Sequence, residues 1–251
     1  RARLMRCATA TQLDAMPFGY LIKTAPEELS AHLRAQKDLD PQGVRIISTW
    51  LAETGLLQYT VLTRDTLTPG LFSKITGVLA AERFQIVSAE ILTRKDGLVV
   101  DSFRGVDGDY RREPPPERRL EVAGRIEDVL LGRRTLESAA ALPAGPEPAR
   151  PTHPTGSPTQ VEIDGVSSDR YTIVEVFADD RPGLLYTIAR TLFEQEFSIG
   201  TAKIATSLDQ IVDVFYVSDR SGAKVTDAAR LAELRRRLLE KIPSAVPVAA
   251  P

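Results

Sequence analysis

Hydrophobic and polar residues follow the same order in two successive stretches of the chain. In the first stretch, β-branched and aromatic residues fill 44–51 and 57–63, and these two runs flank a turn signal at Glu53-Thr54-Gly55. This pattern predicts a β-hairpin. An apolar stripe that starts at Leu71 and is spaced i, i+4, i+7, i+8 predicts the next helix. A second hairpin, closed by Asp-Gly, is predicted from the runs 84–93 and 98–106.

The same order returns 113 residues later. Pro69-Gly70-Leu71 begins the first of these helices and Pro182-Gly183-Leu184 the second, and the offset still holds where Thr93 matches Thr206. At the first helix, Thr68 is the predicted N-cap and Pro69 the predicted first helical residue. A spacing kept through strand, turn and helix signals indicates one supersecondary unit used twice.

Each copy reads β-α-β-β-α, and its last helix carries an apolar stripe on a charged background. One more strand, over 159–163, precedes the second copy and completes a βαββαβ pattern. The expected fold class is α+β, with two ferredoxin-like sandwiches in tandem, each an antiparallel sheet with both helices on one face. The predicted divisions are a lead-in at 1–42, a first domain at 43–167 that includes a proline-rich loop at 139–160, and a second domain at 168–251.

Composition narrows the classes of function. The chain has 251 residues, 43% of them hydrophobic, and a net charge of only -2, which argues against nucleic-acid binding driven by counterion release. The single cysteine, Cys7, excludes an internal disulfide and suits a reducing compartment. Because no apolar run approaches the length of a membrane span and the amino end has no hydrophobic signal core, we expect a cytoplasmic protein.

Two motifs carry a resemblance to known families. The sequence Asp180-Arg181-Pro182-Gly183-Leu184-Leu185 after a first strand resembles the ACT domain, a small regulatory module that often binds amino acids. The stretches 63–79 and 91–103, with the lead-in from Tyr20, resemble the carboxy-terminal tandem ACT region of the bifunctional PII uridylyltransferase/uridylyl-removing enzyme. In the first copy, Asp65-Thr66-Leu67-Thr68-Pro69 replaces the Asp-x-Pro of that family, so the second copy is the closer match to the ligand-binding pattern.

Backbone N–H groups at a helix start attract a carboxylate, and an acidic side chain beside them can hold an ammonium group. The resemblance implies an amino acid lodged between two modules, in contact with this loop of one and the second strand of the other. An alternative remains that Pro-Gly only starts a helix. The candidate ligand-binding residues are Asp180, Arg181, Pro182, Gly183, Leu184, Thr201 and Ala202, and Asp65, Pro69, Gly70, Leu71, Ser88 and Ala89.

Other chemistry-bearing residues give weaker signals. Asp101 and Asp213 lie mid-strand in separate copies, so we interpret them as solvated or hydrogen-bonded strand acids rather than a catalytic pair. Asp107-Gly108-Asp109 is most simply a loop, and His32 and His153 are isolated, so no metal site is predicted. No catalytic, P-loop or dinucleotide motif is present, so no cofactor is expected and whether the chain is an enzyme stays open.

The resemblance therefore implies a regulatory region that binds an amino acid, glutamine by analogy, and controls an attached or partner nucleotidyltransferase acting on the PII signal protein. A ligand-free module for homodimerisation or protein docking is the alternative, because edge strands of such units pair across subunits.

Overall fold

The computed structural model describes residues 26–37, 39–94, 96–136, 158–179, 181–207 and 210–242. Cys7, His153, Asp180 and most of the proline-rich segment lie outside these residues. Within them, no helix combines the length and the apolar character that crossing a bilayer requires. The elements are α1 (Pro26–Lys37), β1 (Arg45–Leu51), β2 (Leu56–Arg64), α2 (Leu71–Ala81), β3 (Phe84–Glu90), β4 (Leu98–Asp107), α3 (Pro116–Leu130), β5 (Gln160–Asp164), β6 (Thr172–Asp179), α4 (Leu184–Glu194), β7 (Phe197–Ser207), β8 (Gln210–Asp219) and α5 (Ala228–Lys241).

The strands form one eight-stranded antiparallel sheet in the order β1-β2-β4-β3-β7-β8-β6-β5. Its first four strands, with α2 and α3, make the first unit, and its last four, with α4 and α5, make the second. The order in one unit mirrors the order in the other, so the two units are related by an approximate two-fold axis. The axis passes between β3 and β7, where Ser88 pairs with Ala205, Ala89 with Ile204, and Glu90 with Lys203.

The predicted fold class, two α+β sandwiches in tandem, agrees with this architecture, but the chain order within each unit differs in one respect. In each unit, the strand at the outer edge of the sheet, β1 or β5, is also the first in the chain. The order of elements in each unit is therefore ββαββα. β1 reaches the outer edge through a tight turn after Leu51, whose carbonyl accepts hydrogen bonds from Thr54 and Gly55. β5 pairs with β6, so residues 160–164 lie in the second unit, whereas the predicted division at 167 places them in the first.

One cluster of buried apolar side chains runs through both units. Phe72, in the first turn of α2, lies at its centre. Its ring stacks on Phe103 of the first unit, with centroids 5.8 Å apart, and meets Phe215 of the second unit edge-on at 6.5 Å. The two units therefore share a core as well as a sheet, and burial of this apolar surface stabilises their arrangement.

Helix α1, in the predicted lead-in, covers the outer face of the first unit. Leu29 and Leu33, which form its apolar edge, are both 2% exposed. The side-chain amide of Gln58 on β2 donates to Glu28 Oε1 at 2.6 Å, which ties the helix to the sheet. His32 is buried beside them, and desolvation lowers the pKa of its imidazole.

Buried charges fasten α3 to the rest of the first unit. Arg118 donates to Glu82 Oε2 at 2.8 Å, to the Glu82 carbonyl oxygen at 2.7 Å and to Asp107 Oδ2 at 3.0 Å. Both carboxylates are fully buried, and Arg125 also donates to Glu82. In the second unit, Arg230 occupies the matching place but bonds only to backbone carbonyls and stacks on an aromatic ring.

We expect Arg118→Leu to lower the free energy of unfolding by about 3–5 kcal/mol, because it leaves the buried Asp107 carboxylate without its cation and leaves Glu82 with Arg125 alone. Urea unfolding followed by circular dichroism measures this change. Arg133→Leu is the matched control, since Arg133 pairs with Glu127 and Asp128 in solvent, and it should remain near wild-type stability. Equal stability of the two variants would contradict the role assigned to Arg118.

The turn from helix to strand in each unit places a non-glycine residue in the left-handed region, Arg83 at φ 59° and Glu196 at φ 62°. Because side chains are strained there, Glu196→Gly should raise the free energy of unfolding by up to about 1 kcal/mol. Arg190→Gly, at an exposed position inside α4, should lower it by about 1 kcal/mol. Thermal unfolding of the two variants checks these opposite signs, and destabilisation by both would rule out relief of strain.

Candidate ligand site between the two units

A cleft of about 990 Å³ opens where the β2–α2 loop of the first unit faces the start of β7 in the second. A space of this size is typical of small-molecule sites, which often lie between structural units. We call it the inter-unit cleft. The residues that line it in the first unit are Asp65, Thr68, Pro69, Gly70, Leu71, Phe72, Ser73, Ile91, Leu92, Thr93, Arg94, Gly97, Val99 and Asp101. In the second unit they are Arg170, Tyr171, Ala189, Phe193, Phe197, Ser198, Ile199, Gly200, Thr201, Ser218, Asp219, Arg220, Ser221 and Gly222.

Helix α2 presents its amino end to this cleft. It begins at Leu71, and its N-cap is Gly70 at φ 68°, with no side chain capping the first amides. The prediction of Thr68 as N-cap and Pro69 as first helical residue was therefore wrong by two positions. Instead, Thr68 accepts a hydrogen bond from Lys74, and burial lowers the pKa of that lysine. Among the described residues, no side chain caps the amide groups of Leu71, Phe72 and Ser73, and these residues lie in the cleft wall at the positive end of the helix dipole.

The tip of the β3–β4 hairpin packs beside the β2–α2 loop. The backbone N–H of Asp65 donates to the Gly97 carbonyl oxygen at 3.0 Å. Gly97 has φ 77°, which favours glycine, and a Cβ at this position would lie 2.8 Å from Asp65 Oδ1, so the carboxylate lies directly over this turn. Asp65 itself is exposed, and it is held at the mouth of the cleft.

Aromatic rings of the second unit form the opposite wall. Phe193 of α4 lies so close to the first unit that a Cβ on Gly70 would be 3.1 Å from its ring. The guanidinium of Arg220 lies over the Phe193 ring at 5.9 Å, and Arg170 lies over Tyr171 at 5.2 Å. The wall is therefore apolar at its base and positively charged at its rim.

Asp101 on β4 lies in the floor of the cleft. It is 1% exposed, and its Oδ1 accepts a hydrogen bond from the Leu92 N–H at 3.2 Å. Desolvation raises the pKa of its carboxyl group to about 8, and the Leu92 hydrogen bond opposes this only in part. Asp101 is therefore mostly a neutral carboxylic acid at pH 7.

Arg94 links the cleft to helix α1. Its guanidinium donates to Gln36 Oε1 at 3.0 Å and to Asp96 Oδ2 at 2.9 Å, and its side chain is only 2% exposed. Its Nε has no hydrogen-bond partner among the residues that the structure describes. The Arg94 guanidinium is thus held beside the cleft by Gln36 of α1 and by Asp96 of the β3–β4 hairpin.

The structure brings together some of the predicted site residues and separates others. Asp65, Pro69, Gly70, Leu71 and Thr201 all line the inter-unit cleft. Thr201 also joins the units, because its hydroxyl donates to the Ile91 carbonyl oxygen at 2.8 Å.

The remaining predicted residues lie away from this cleft. Ala202 is buried in the shared core opposite Phe215, and Ser88 and Ala89 lie in the β3–β7 joint. Arg181, Pro182, Gly183 and Leu184 lie at the start of α4, where Gly183 at φ 76° repeats the Gly70 cap. The described part of the closer sequence match, at 181–184, therefore belongs to a different helix start from the one that opens on this cleft.

Several lining residues escaped the sequence analysis, above all Arg94, Asp101, Tyr171 and Phe193. Asp101 was noted but interpreted as an ordinary strand acid, and its burial depends on contacts that the local pattern does not specify. The other three lie next to predicted elements, and they reach the cleft only because two units join. Among the described residues, no group of three or more His, Cys, Asp or Glu side chains forms a metal site.

The chain is similar in sequence to one domain family and to two enzymes of the same name. Residues 160–250 match the family described as an ACR9-like, ACT-like domain. The bifunctional uridylyltransferase/uridylyl-removing enzyme of Gluconobacter oxydans is 38% identical over 201 residues, which cover 80% of this chain and 21% of that protein. The enzyme of the same name from Rhodospirillum rubrum is 36% identical over 179 residues, which cover 71% of this chain and 19% of that protein.

The resemblance to ACT domains and to these enzymes, inferred from the sequence, is confirmed. The chain spans about a fifth of the length of the curated relatives it matches. Among solved structures, aspartate kinase from Synechocystis aligns with 74% of this chain and 27% of its own, at 14% identity and a TM-score of 0.40.

The buried acid in the cleft floor gives the fold a defined pH dependence. Between the ordinary carboxyl pKa of 3.8 and the folded-state value of about 8, the unfolded chain loses the Asp101 proton and the folded chain keeps it. Stability attributable to this group is therefore greatest below pH 4, and it falls by about 1.4 kcal/mol per pH unit up to pH 8.

Asp101→Asn keeps the shape and the acceptor for Leu92 but removes the titration. We expect the stability of this variant relative to wild type to rise steadily from pH 4 to pH 8, as measured by urea unfolding at each pH. A difference that stays constant over this range would show that Asp101 is ionised in the folded chain.

Proposed function

We propose that this chain is an amino-acid-sensing regulatory region of a PII uridylyltransferase-like protein, and that glutamine is its ligand. The observation that carries the proposal is the uncapped amino end of α2, which opens on a cleft formed by both units. The match to an ACT-like domain and the similarity to two bifunctional uridylyltransferase/uridylyl-removing enzymes support a regulatory role.

The chemistry of the cleft suits the common part of an amino acid. The α-carboxylate would accept hydrogen bonds from the free amides of Leu71, Phe72 and Ser73, where the helix dipole also favours negative charge. The α-ammonium group would pair with Asp65, which the Gly97 contact holds at the mouth of the cleft. The ligand would thus be fixed at both charged ends by the first unit.

The position of the cleft explains how binding would regulate. Because the first unit supplies the charged contacts and the second supplies Phe193 and Tyr171, a bound ligand would favour one relative placement of the units over others. Arg94 would pass this preference to α1 through Gln36. A ligand shifts such an equilibrium only by its difference in affinity for the two arrangements. The catalytic partner would be the nucleotidyltransferase part of the same protein, acting on the PII signal protein.

A ligand-free interaction module is the second candidate function. β1 and β5 end the sheet, and within the described residues neither has a strand paired on its outer side. Unpaired edges of this kind can join strands of another subunit. Measuring the mass of the chain in solution, with and without amino acids, separates the candidates. Dimerisation that ignores every amino acid favours the module.

Calorimetric titration of the chain with glutamine and the other amino acids tests the sensing function. We expect Asp65→Asn to weaken binding about fivefold to tenfold, because it removes the partner of the ammonium group without changing the loop shape. Glu162→Gln is the matched control. It removes the same charge from an exposed position on β5, at the far edge of the sheet, and should bind as wild type does.

Two results would contradict this function. If no amino acid binds the wild-type chain at millimolar concentration, the cleft is not a sensor site. If Asp65→Asn and Glu162→Gln bind equally well, the ligand lies elsewhere, and the amino end of α4 becomes the next place to examine.

A further inference from the structure

The amino-acid pose described above uses the mouth and the wall of the cleft but leaves its floor unexplained. Asp101 lies there, nine-tenths or more buried, with a single hydrogen bond, from the Leu92 N–H to its Oδ1. Leu92 is the hydrogen-bond partner that the described residues provide for this carboxyl group, and Asp101 lines the open space of the cleft. A nearly buried carboxyl group with one hydrogen bond can form more, and a ligand in the cleft can supply them.

Beyond the Leu92 N–H, the described residues that flank Asp101 on the sheet add no hydrogen bond to its carboxyl group. Its neighbours on the helix-facing side of the sheet are apolar, with Val61 opposite it on β2 and Phe103 two residues along β4. Phe72, which also lines the cleft, stacks on Phe103. The Asp101 carboxyl group is therefore flanked by apolar side chains on the sheet.

We propose that Asp101 determines which side chain the cleft accepts, and that it selects a carboxamide over a carboxylate or a hydrocarbon. This inference rests on the proposed function, since it assumes that an amino acid occupies the cleft with its charged ends on the first unit. The side chain of that ligand then extends toward the floor.

The chemistry of a neutral carboxyl group supports this selection. A carboxylic acid donates one hydrogen bond and accepts others, and a primary amide does the same, so the two groups can pair through two hydrogen bonds. With Asp101, the Oδ2 hydroxyl would donate to the amide oxygen, and the amide N–H would donate to Oδ1. The burial that raises the pKa of this carboxyl supplies the proton that the first bond needs.

Competing side chains lose one or both of these bonds. A carboxylate in the same place would be a charge beside a second acid, and the Arg94 guanidinium, which also lines the cleft, is already paired with Asp96. A hydrocarbon of the same length would form neither bond and would leave the carboxyl group with the Leu92 N–H alone. Sites built around a buried hydrogen-bonding group reject ligands that cannot satisfy it.

Asp213 provides a matched control inside the same chain. It lies on β8 at the position that the approximate two-fold axis relates to Asp101, and it is also 1% exposed. It does not line the inter-unit cleft. Replacing it tests whether an effect at Asp101 comes from the cleft or from the loss of any buried strand acid.

The experiment measures binding of glutamine, glutamate and methionine to wild type, Asp101→Leu, Asp101→Asn and Asp213→Leu by calorimetry. Hydrogen exchange of the segment 65–74 reports occupancy of this cleft, and circular dichroism verifies that each variant is folded. We expect wild type to prefer glutamine over the other two by about tenfold or more. Asp101→Leu should lose about tenfold to a hundredfold in glutamine affinity and keep methionine binding. Asp101→Asn should restore glutamine binding, because its amide also donates and accepts.

The outcomes separate this inference from the function on which it rests. If wild type binds no amino acid, the proposed function fails and this inference fails with it. If wild type binds glutamine and methionine equally, the selection by Asp101 is overturned while the sensing function stands, whether or not the leucine variant folds. The same conclusion follows if Asp101→Leu keeps wild-type glutamine affinity, or if Asp213→Leu removes the protection of 65–74 equally well.

Discussion

The pairing of β3 with β7 is the interaction on which the rest of the molecule depends. It joins two four-stranded sheets through only three residue pairs and is reinforced by the Thr201–Ile91 hydrogen bond. The apolar core then closes around it, because Phe72 contacts rings from both units. Without this joint, the β2–α2 loop and the start of β7 would have no common space between them. The inter-unit cleft is therefore a property of the pair and of neither unit alone.

The two units differ in the charged side chains that they bury. The first unit holds the charged cluster of Arg118, Glu82 and Asp107, and also the buried guanidinium of Arg94. The second unit replaces the cluster with backbone contacts from Arg230. Buried ion pairs contribute little net stability, although removing one partner is expensive. They fix the first unit in one geometry, which suits the half that supplies the charged contacts of the cleft.

The helices and strands could be predicted well from the sequence because each local signal occurs in both copies of the repeat. Glycine at the two helix starts, the Asp-Gly hairpin and the apolar stripes depend on neighbouring residues, and the structure contains each of them. The order ββαββα was harder to predict, since a strand at 160–164 can extend either unit and only the completed sheet decides between them. Thr68 was assigned as N-cap from a local preference, which the left-handed Gly70 overrode.

The cleft itself was only half predictable. The chemistry of a helix start predicts four of its lining residues, Asp65, Pro69, Gly70 and Leu71. Phe193 and Tyr171 lie more than 100 residues away in sequence, and they face the same space as Gly70 because of the joint between the units. The burial of Asp101 likewise depends on which strands and helices surround β4. Such long-range contacts leave no periodic signal in one sequence.

The connection between the units has a consequence for assembly. Leu136 lies against Gly77 of α2 near Tyr186 of α4, at the seam of the two halves, whereas β5 starts at the far edge of the sheet. The two halves belong to one chain, so their joining is intramolecular, and this connection raises the effective concentration of one half around the other. Exchange of halves between separate chains would compete only when chains are crowded to similar concentrations, as they are when several copies are held together in a larger particle.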